Sequence, residues 1–68
     1  MVVNSRNIRF CIGDQVWATL PNREQILGEI TYITPGRQTA EVEFEEYDYI
    51  NSAEIPLNRL ELFEETRD

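Results

Sequence analysis

Three of the seven aromatic residues in this chain fall in one short window, Phe44-Glu45-Glu46-Tyr47-Asp48-Tyr49, with three carboxylates between them. Aromatic faces attract cations, at roughly 0.5–2 kcal/mol per contact depending on desolvation. Carboxylates beside them add Coulomb attraction and hydrogen-bond acceptors for a guanidinium. The chemistry this window offers is the non-covalent holding of an ammonium or guanidinium group, methylated or not. Phe44 and Tyr47 are the candidate walls, with Tyr49 or Asn51 beside them and Glu45, Glu46 and Asp48 as an acidic rim. Each residue also has a plainer use. Phe44 shares the parity of Val42 and can be core. Tyr47 and Tyr49 can pack on a neighbouring loop with their hydroxyls in water. The glutamates can be an ordinary solvated face.

Other chemistries find little material. The chain has no histidine and one cysteine, Cys11. Zinc sites are built from clustered thiolates and imidazoles, so no metal site and no cofactor is expected. No imidazole is present to activate a serine or the lone thiol. Only a mechanism run by carboxylates survives that count, and the chain is expected not to be an enzyme. A single cysteine forms no internal disulfide, and Met1 to Arg6 contain no apolar signal core. A reducing intracellular setting, nuclear or cytoplasmic, is the expectation. No apolar run approaches the ~18 residues of a membrane span.

The charge balance points the same way as the window. Thirteen acidic residues face six basic ones, all arginine, for a net charge of −7. Such a field repels phosphate backbones and attracts cationic partners, which makes nucleic acid an unexpected ligand. Acidity also keeps a small protein soluble without any partner.

The elements that must position these residues read as short strands. Ala40, Val42 and Phe44 alternate with Glu41, Glu43 and Glu45, giving one apolar and one acidic face over 39–45. Thr34-Pro35-Gly36-Arg37 carries a type II turn signal joining this strand to one at 26–33. Apolar residues on both faces of the earlier strand predict that it is long and bent, and Gly28 suits a bend or a close backbone approach. Gly13-Asp14 introduces another strand, with Val16, Ala18 and Leu20 on one face and Trp17 and Thr19 on the other. Trp17 is then an exposed contact residue or part of a second small cluster. A fourth strand is expected at 53–57, on an edge because of Pro56. A 3₁₀ turn at 58–60 and a last strand at 61–63 follow. The segment after Phe44 is expected to run into a loop. Short strands with turn signals between them make an all-β, five-stranded, strongly bent small barrel. The expected organisation is a flexible N-terminal arm at 1–8, the barrel at 9–63 and an acidic tail at 64–68.

Four segments, in order, carry a family resemblance. Ile12-Gly13-Asp14-Gln15-Val16-Trp17-Ala18 resembles the opening of Tudor domains, in the Royal group of SH3-like barrels, and Val16-Trp17-Ala18 is also similar to the start of PWWP domains. Ile26-Leu27-Gly28-Glu29-Ile30 resembles the Tudor second strand. Thr39-Ala40-Glu41-Val42-Glu43-Phe44-Glu45-Glu46-Tyr47-Asp48 resembles the third strand and its following tyrosine. Glu54-Ile55-Pro56-Leu57-Asn58-Arg59-Leu60 resembles the closing segment. Together they cover roughly residues 10–63. The resemblance implies a five-stranded barrel that binds methylated lysine or methylated arginine in an aromatic cage. Phe44 and Tyr47 match cage positions. The two further cage positions fall on Leu20 and near Ile26, aliphatic where typical readers are aromatic. A short insertion around Asp48-Tyr49-Ile50-Asn51 leaves either Tyr49 or Asn51 for the asparagine position of arginine-methyl readers, and Trp17 or Tyr49 for a missing wall.

Two functions are compatible with these residues. One is a module that recognises a basic protein tail, arginine-rich or methylated. The other is a degenerate Tudor-like scaffold used for subunit docking or self-association in an oligomer or larger assembly, through Trp17, Ile33 and a strand edge.

Overall fold

The alternation at 39–45 becomes a strand of eight residues, β5 (Thr39–Glu46), in which Ala40 and Val42 are buried and every glutamate is exposed. The computed structural model describes residues 2–3 and 8–63, with only the backbone of Val2. The expected tail at 64–68 lies outside the described residues, as do residues 1 and 4–7 of the expected arm. Within that arm, Val2–Val3 (β1) pairs antiparallel with Arg9–Phe10 (β2). The other strands are β3 (Gln15–Thr19), β4 (Gln25–Thr34), β6 (Tyr49–Pro56) and β7 (Leu60–Leu62). The chain is all-β, and β3 to β7 form one antiparallel sheet of five strands in the order β6-β5-β4-β3-β7.

The long strand β4 organises the sheet. Its first half, from Gln25 to Glu29, pairs with β3, and its second half, from Glu29 to Thr34, pairs with β5. The register shifts between Ile30 and Tyr32, which leaves Thr31 as the extra residue of a bulge. A bulge bends the strand that carries it and increases its twist. β4 therefore serves both halves of the sheet. At the bend, a Cβ on Gly28 would lie 2.6 Å from the Glu43 carbonyl oxygen and 2.6 Å from Val42 Cγ1. Only hydrogen fits there, and this close approach lets β5 fold over β4.

Folding the sheet on itself encloses Phe10, Val16, Ala18, Ile30, Ala40, Val42, Ile55, Leu57 and Leu60, all buried. Ile33, Ala53 and Leu62 pack against this core. Period two in β3 puts Val16 and Ala18 inward and Trp17 outward. Turns hold the ends. Gly13, at φ 98°, donates to the Ile30 carbonyl at 2.8 Å, and the Asp14 carboxylate accepts from the Cys11 amide at 2.8 Å.

Two expectations are corrected. The connection at 34–37 is a 3₁₀ turn (Pro35–Arg37), with Gln38 rather than Gly36 in the left-handed region at φ 55°. The Gln38 amide donates to the Pro35 carbonyl and its side chain reaches the same oxygen, which stabilises that cap without glycine. The segment from Tyr49 is strand, not loop, so the fourth long strand begins earlier than residue 53. The expected all-β fold is present, and among the described residues β6 and β7, the two ends of the five-strand order, pair with one neighbour each. Pro56 does lie on an edge strand. No helix among the described residues is long and apolar enough to cross a membrane.

Candidate functional site

Tyr47 and Asp48 form the two-residue loop between β5 and β6, with φ values of 52° and 66°. Positive φ at both central residues is the type I′ pattern, whose twist matches that of the flanking strands. Asparagine and glycine are the residues that suit it. Their absence is why the window reads as an open loop in the sequence, although it is a tight hairpin.

The register assigns every candidate residue to a face. Phe44 lies opposite Asn51, and Glu46 opposite Tyr49. These four continue the face that carries Val42 and Ala53 inward. The opposite face carries Glu45 across from Ile50, Glu43 across from Ser52, and Glu41 across from Glu54. Pairing between β4 and β5 stops at Glu29–Glu43, so from Phe44 onward the hairpin continues as a two-stranded ribbon. Phe44 is half-buried, while Tyr47 is 87% exposed, Tyr49 71% and Ile50 69%.

The hairpin thus brings together Phe44, Tyr49, Asn51 and Glu46 on one face, with Tyr47 and Asp48 at its tip. No two of the three rings are in contact; the close ring pair among the described residues is Trp17–Phe63, with centroids 6.3 Å apart. Leu20 and Ile26 are half-buried and pack against the core from the same inward side as Phe44. The turn between them is closed by the Leu20 amide donating to the Glu24 carbonyl at 2.8 Å. Trp17 is not part of this group. It stands on the outward face of β3, across from Leu27 and Glu61, and is ruled out as a wall beside Phe44 by the side of the sheet it occupies.

The sequence window missed the extent of the acidic face. Glu29 lies directly across from Glu43, and Glu41 from Glu54, so Glu29, Glu41, Glu43, Glu45 and Glu54 share one outward surface over three strands. Among the described residues the ion pair is Arg37–Glu54 at 3.6 Å, and Glu54 also accepts from the Thr39 hydroxyl at 2.6 Å. Alternating glutamates in β5 announced one row of this surface; the rows on β4 and β6 depended on register. Like charges directly opposite destabilise a strand pair. Glu43→Lys, facing Glu29, is accordingly expected to stabilise the fold by about 1 kcal/mol. In thermal melts that is a rise of roughly 4–8 °C. The parent should gain more from added salt than the variant, because salt screens the repulsion that the variant lacks.

No protein-family model matches the chain, and no curated protein or solved structure shows significant similarity to it. Among the described residues, no group of three or more histidine, cysteine or acidic side chains is placed to hold a metal ion. What the arrangement offers chemically is exposed rings and carboxylates on one hairpin, groups that attract cations.

Proposed function

We propose that this chain is a non-enzymatic, Tudor-like recognition module for a basic protein tail, methylated or unmodified, in an intracellular, nuclear or cytoplasmic setting. The observation that carries the reading is Tyr47. It is an aromatic residue held in the left-handed conformation at the tip of a hairpin, almost fully in water. A non-glycine residue there costs roughly 1–2 kcal/mol. No packing gain offsets that cost, and residues kept against local preference concentrate at functional sites. Tyr49, Phe44, Glu46 and Asp48 supply further rings and carboxylates on the same hairpin.

The double variant Tyr47→Asn/Asp48→Gly tests the reading by separating stability from binding. Asn-Gly suits a type I′ turn, so the variant is expected to be more stable by about 1 kcal/mol. It should also bind arginine-containing peptides roughly fivefold more weakly, having lost one cation–π contact and one carboxylate. Titrating methylated and unmethylated arginine and lysine peptides by NMR reads both the affinity and the location. Shifts clustered at Phe44–Asn51 support the proposal. Unchanged affinity in a stabilised variant, or shifts elsewhere, removes it.

The scaffold reading rests on a different surface. Trp17 and Leu27, 39% and 40% exposed, stand side by side with Phe63 on the outward face of β3 and β4. A mass that rises with concentration in light scattering, and falls back for Trp17→Ser, favours that reading.

A further inference from the structure

The open edge of β6 adds a second feature beside the hairpin rings. The closing pair of a two-residue hairpin exchanges both of its backbone hydrogen bonds. With Glu46–Tyr49 as that pair and no shift in the register, Asn51, Ala53 and Ile55 turn their backbone groups toward β5. Ile50, Ser52 and Glu54 turn theirs to the open edge. Pro56 has the same outward parity, so its missing N–H costs no ladder bond, which is how an edge strand tolerates proline. Among the described residues no strand pairs with this edge, and every residue from Tyr49 to Ser52 is exposed.

Exposed edges are usually blunted by lysine, bulges or proline within the strand. β6 has an unbroken register, and its charged residue and proline, Glu54 and Pro56, lie at its end, beyond the uncharged run Tyr49-Ile50-Asn51-Ser52-Ala53. The edge is therefore available for an added strand. Its neighbours decide what kind. A second copy of this chain would bring one net charge of −7 against another, with two glutamate faces side by side. A basic strand meets the opposite field.

We propose that a basic segment binds by adding as an antiparallel strand to β6, with arginine or lysine at every second position. This deepens the proposed function and rests on it for the sign of the partner's charge. Peptide residues directly opposite Ile50, Ser52 and Glu54 point to the outward face. An arginine opposite Ser52 passes over a side chain too short to block it and meets Glu43 on the next strand. An arginine opposite Ile50 lays its aliphatic stem on Ile50 and meets Glu45. The intervening peptide residues face inward, beside Asn51 and Tyr49. Main-chain bonds supply affinity and the alternate positions supply specificity, as in other strand-addition complexes.

The test uses a capped nine-residue peptide of alternating threonine and arginine, with two N-methylated versions. In antiparallel pairing the residues facing the glutamates are those whose N–H groups bond the edge. N-methylation of the arginines should lower affinity at least tenfold, and N-methylation of the threonines should leave it within about twofold. In hydrogen exchange, bound peptide should slow the amides of Ile50, Ser52 and Glu54 at least tenfold, while Asn51, Ala53 and Ile55 are already protected in the free protein. Equal loss from the two methylated series, or binding that shifts Tyr47 and Tyr49 without protecting Ser52, overturns strand addition and leaves the recognition reading standing. Absence of binding by every peptide overturns strand addition, and leaves the recognition reading to the titration with methylated peptides described above. Protection of Ser52 without peptide, with a mass that doubles, assigns the edge to a second copy and also overturns the proposal.

Discussion

Gly28→Ala is expected to be among the most damaging single substitutions in this protein, costing about 3 kcal/mol or more. An added Cβ would sit 2.6 Å from the Glu43 carbonyl oxygen and 2.6 Å from Val42 Cγ1, and 3.3 Å from the Glu43 carbonyl carbon. Two of those atoms are backbone inside the β4–β5 ladder, and the third belongs to a fully buried valine. None is the free end of a flexible side chain, so the clash can be relieved only by moving a strand. Overpacking of this kind typically costs 1–3 kcal/mol, and more where the neighbour cannot yield. At roughly 4–8 °C per kcal/mol for a domain of this size, the melting temperature should fall by more than about 10 °C. Gly36→Ala is the control. Nothing lies within 4 Å of a Cβ there, and its φ is not positive, so alanine should be neutral or stabilising by up to about 1 kcal/mol. Urea melts followed by circular dichroism compare the two. Similar losses at both positions would show that the close approach is not what makes Gly28 necessary.

Phe10→Ala should remove a comparable or larger share of the stability. Phe10 is fully buried and is the bulkiest side chain of the core. Truncating a buried phenylalanine costs about 3–5 kcal/mol, from lost transfer energy and the cavity left behind. A chain this short has a total stability of only about 3–10 kcal/mol at typical values per residue. The variant is expected to be largely unfolded at 37 °C, and Phe10→Leu to recover most of the loss because it refills most of the volume. A cooperative melt of Phe10→Ala within 3 °C of the parent would mean that the core does not depend on this ring. Both substitutions act on the packed frame and leave Tyr47 and Asp48 unchanged. Replacement of Tyr47 and Asp48, by contrast, is expected to raise stability, as it should where residues are kept for something other than the fold.

Local pattern determined much of this architecture. Period two at 39–45 specified a strand and told its apolar face from its acidic one, because successive side chains of a strand must diverge. Apolar residues on both faces of 26–33, with Gly28 between them, specified a long strand shared by two halves of a core. Pro56 specified an edge, since proline has no donor for a second neighbour. The clustering of aromatic and acidic residues at 44–49, on which the proposed function rests, was legible without any structure.

Tertiary structure decided the rest, because it concerned which side of which strand each residue shares with distant ones. The turn at Tyr47-Asp48 goes against the local preference of Tyr47, and the pairing of Glu46 with Tyr49 holds it. That turn puts Phe44 and Asn51 on one face, sends Ile50 to the other, and leaves the backbone of Ile50, Ser52 and Glu54 at an open edge. Trp17 and Phe44 are separated by the sheet itself, a fact no spacing along the chain could carry. The five-glutamate surface likewise depends on register: a slip of one residue would turn Glu29, in the β4–β5 ladder, or Glu54, in the β5–β6 ladder, away from the face that β5 presents.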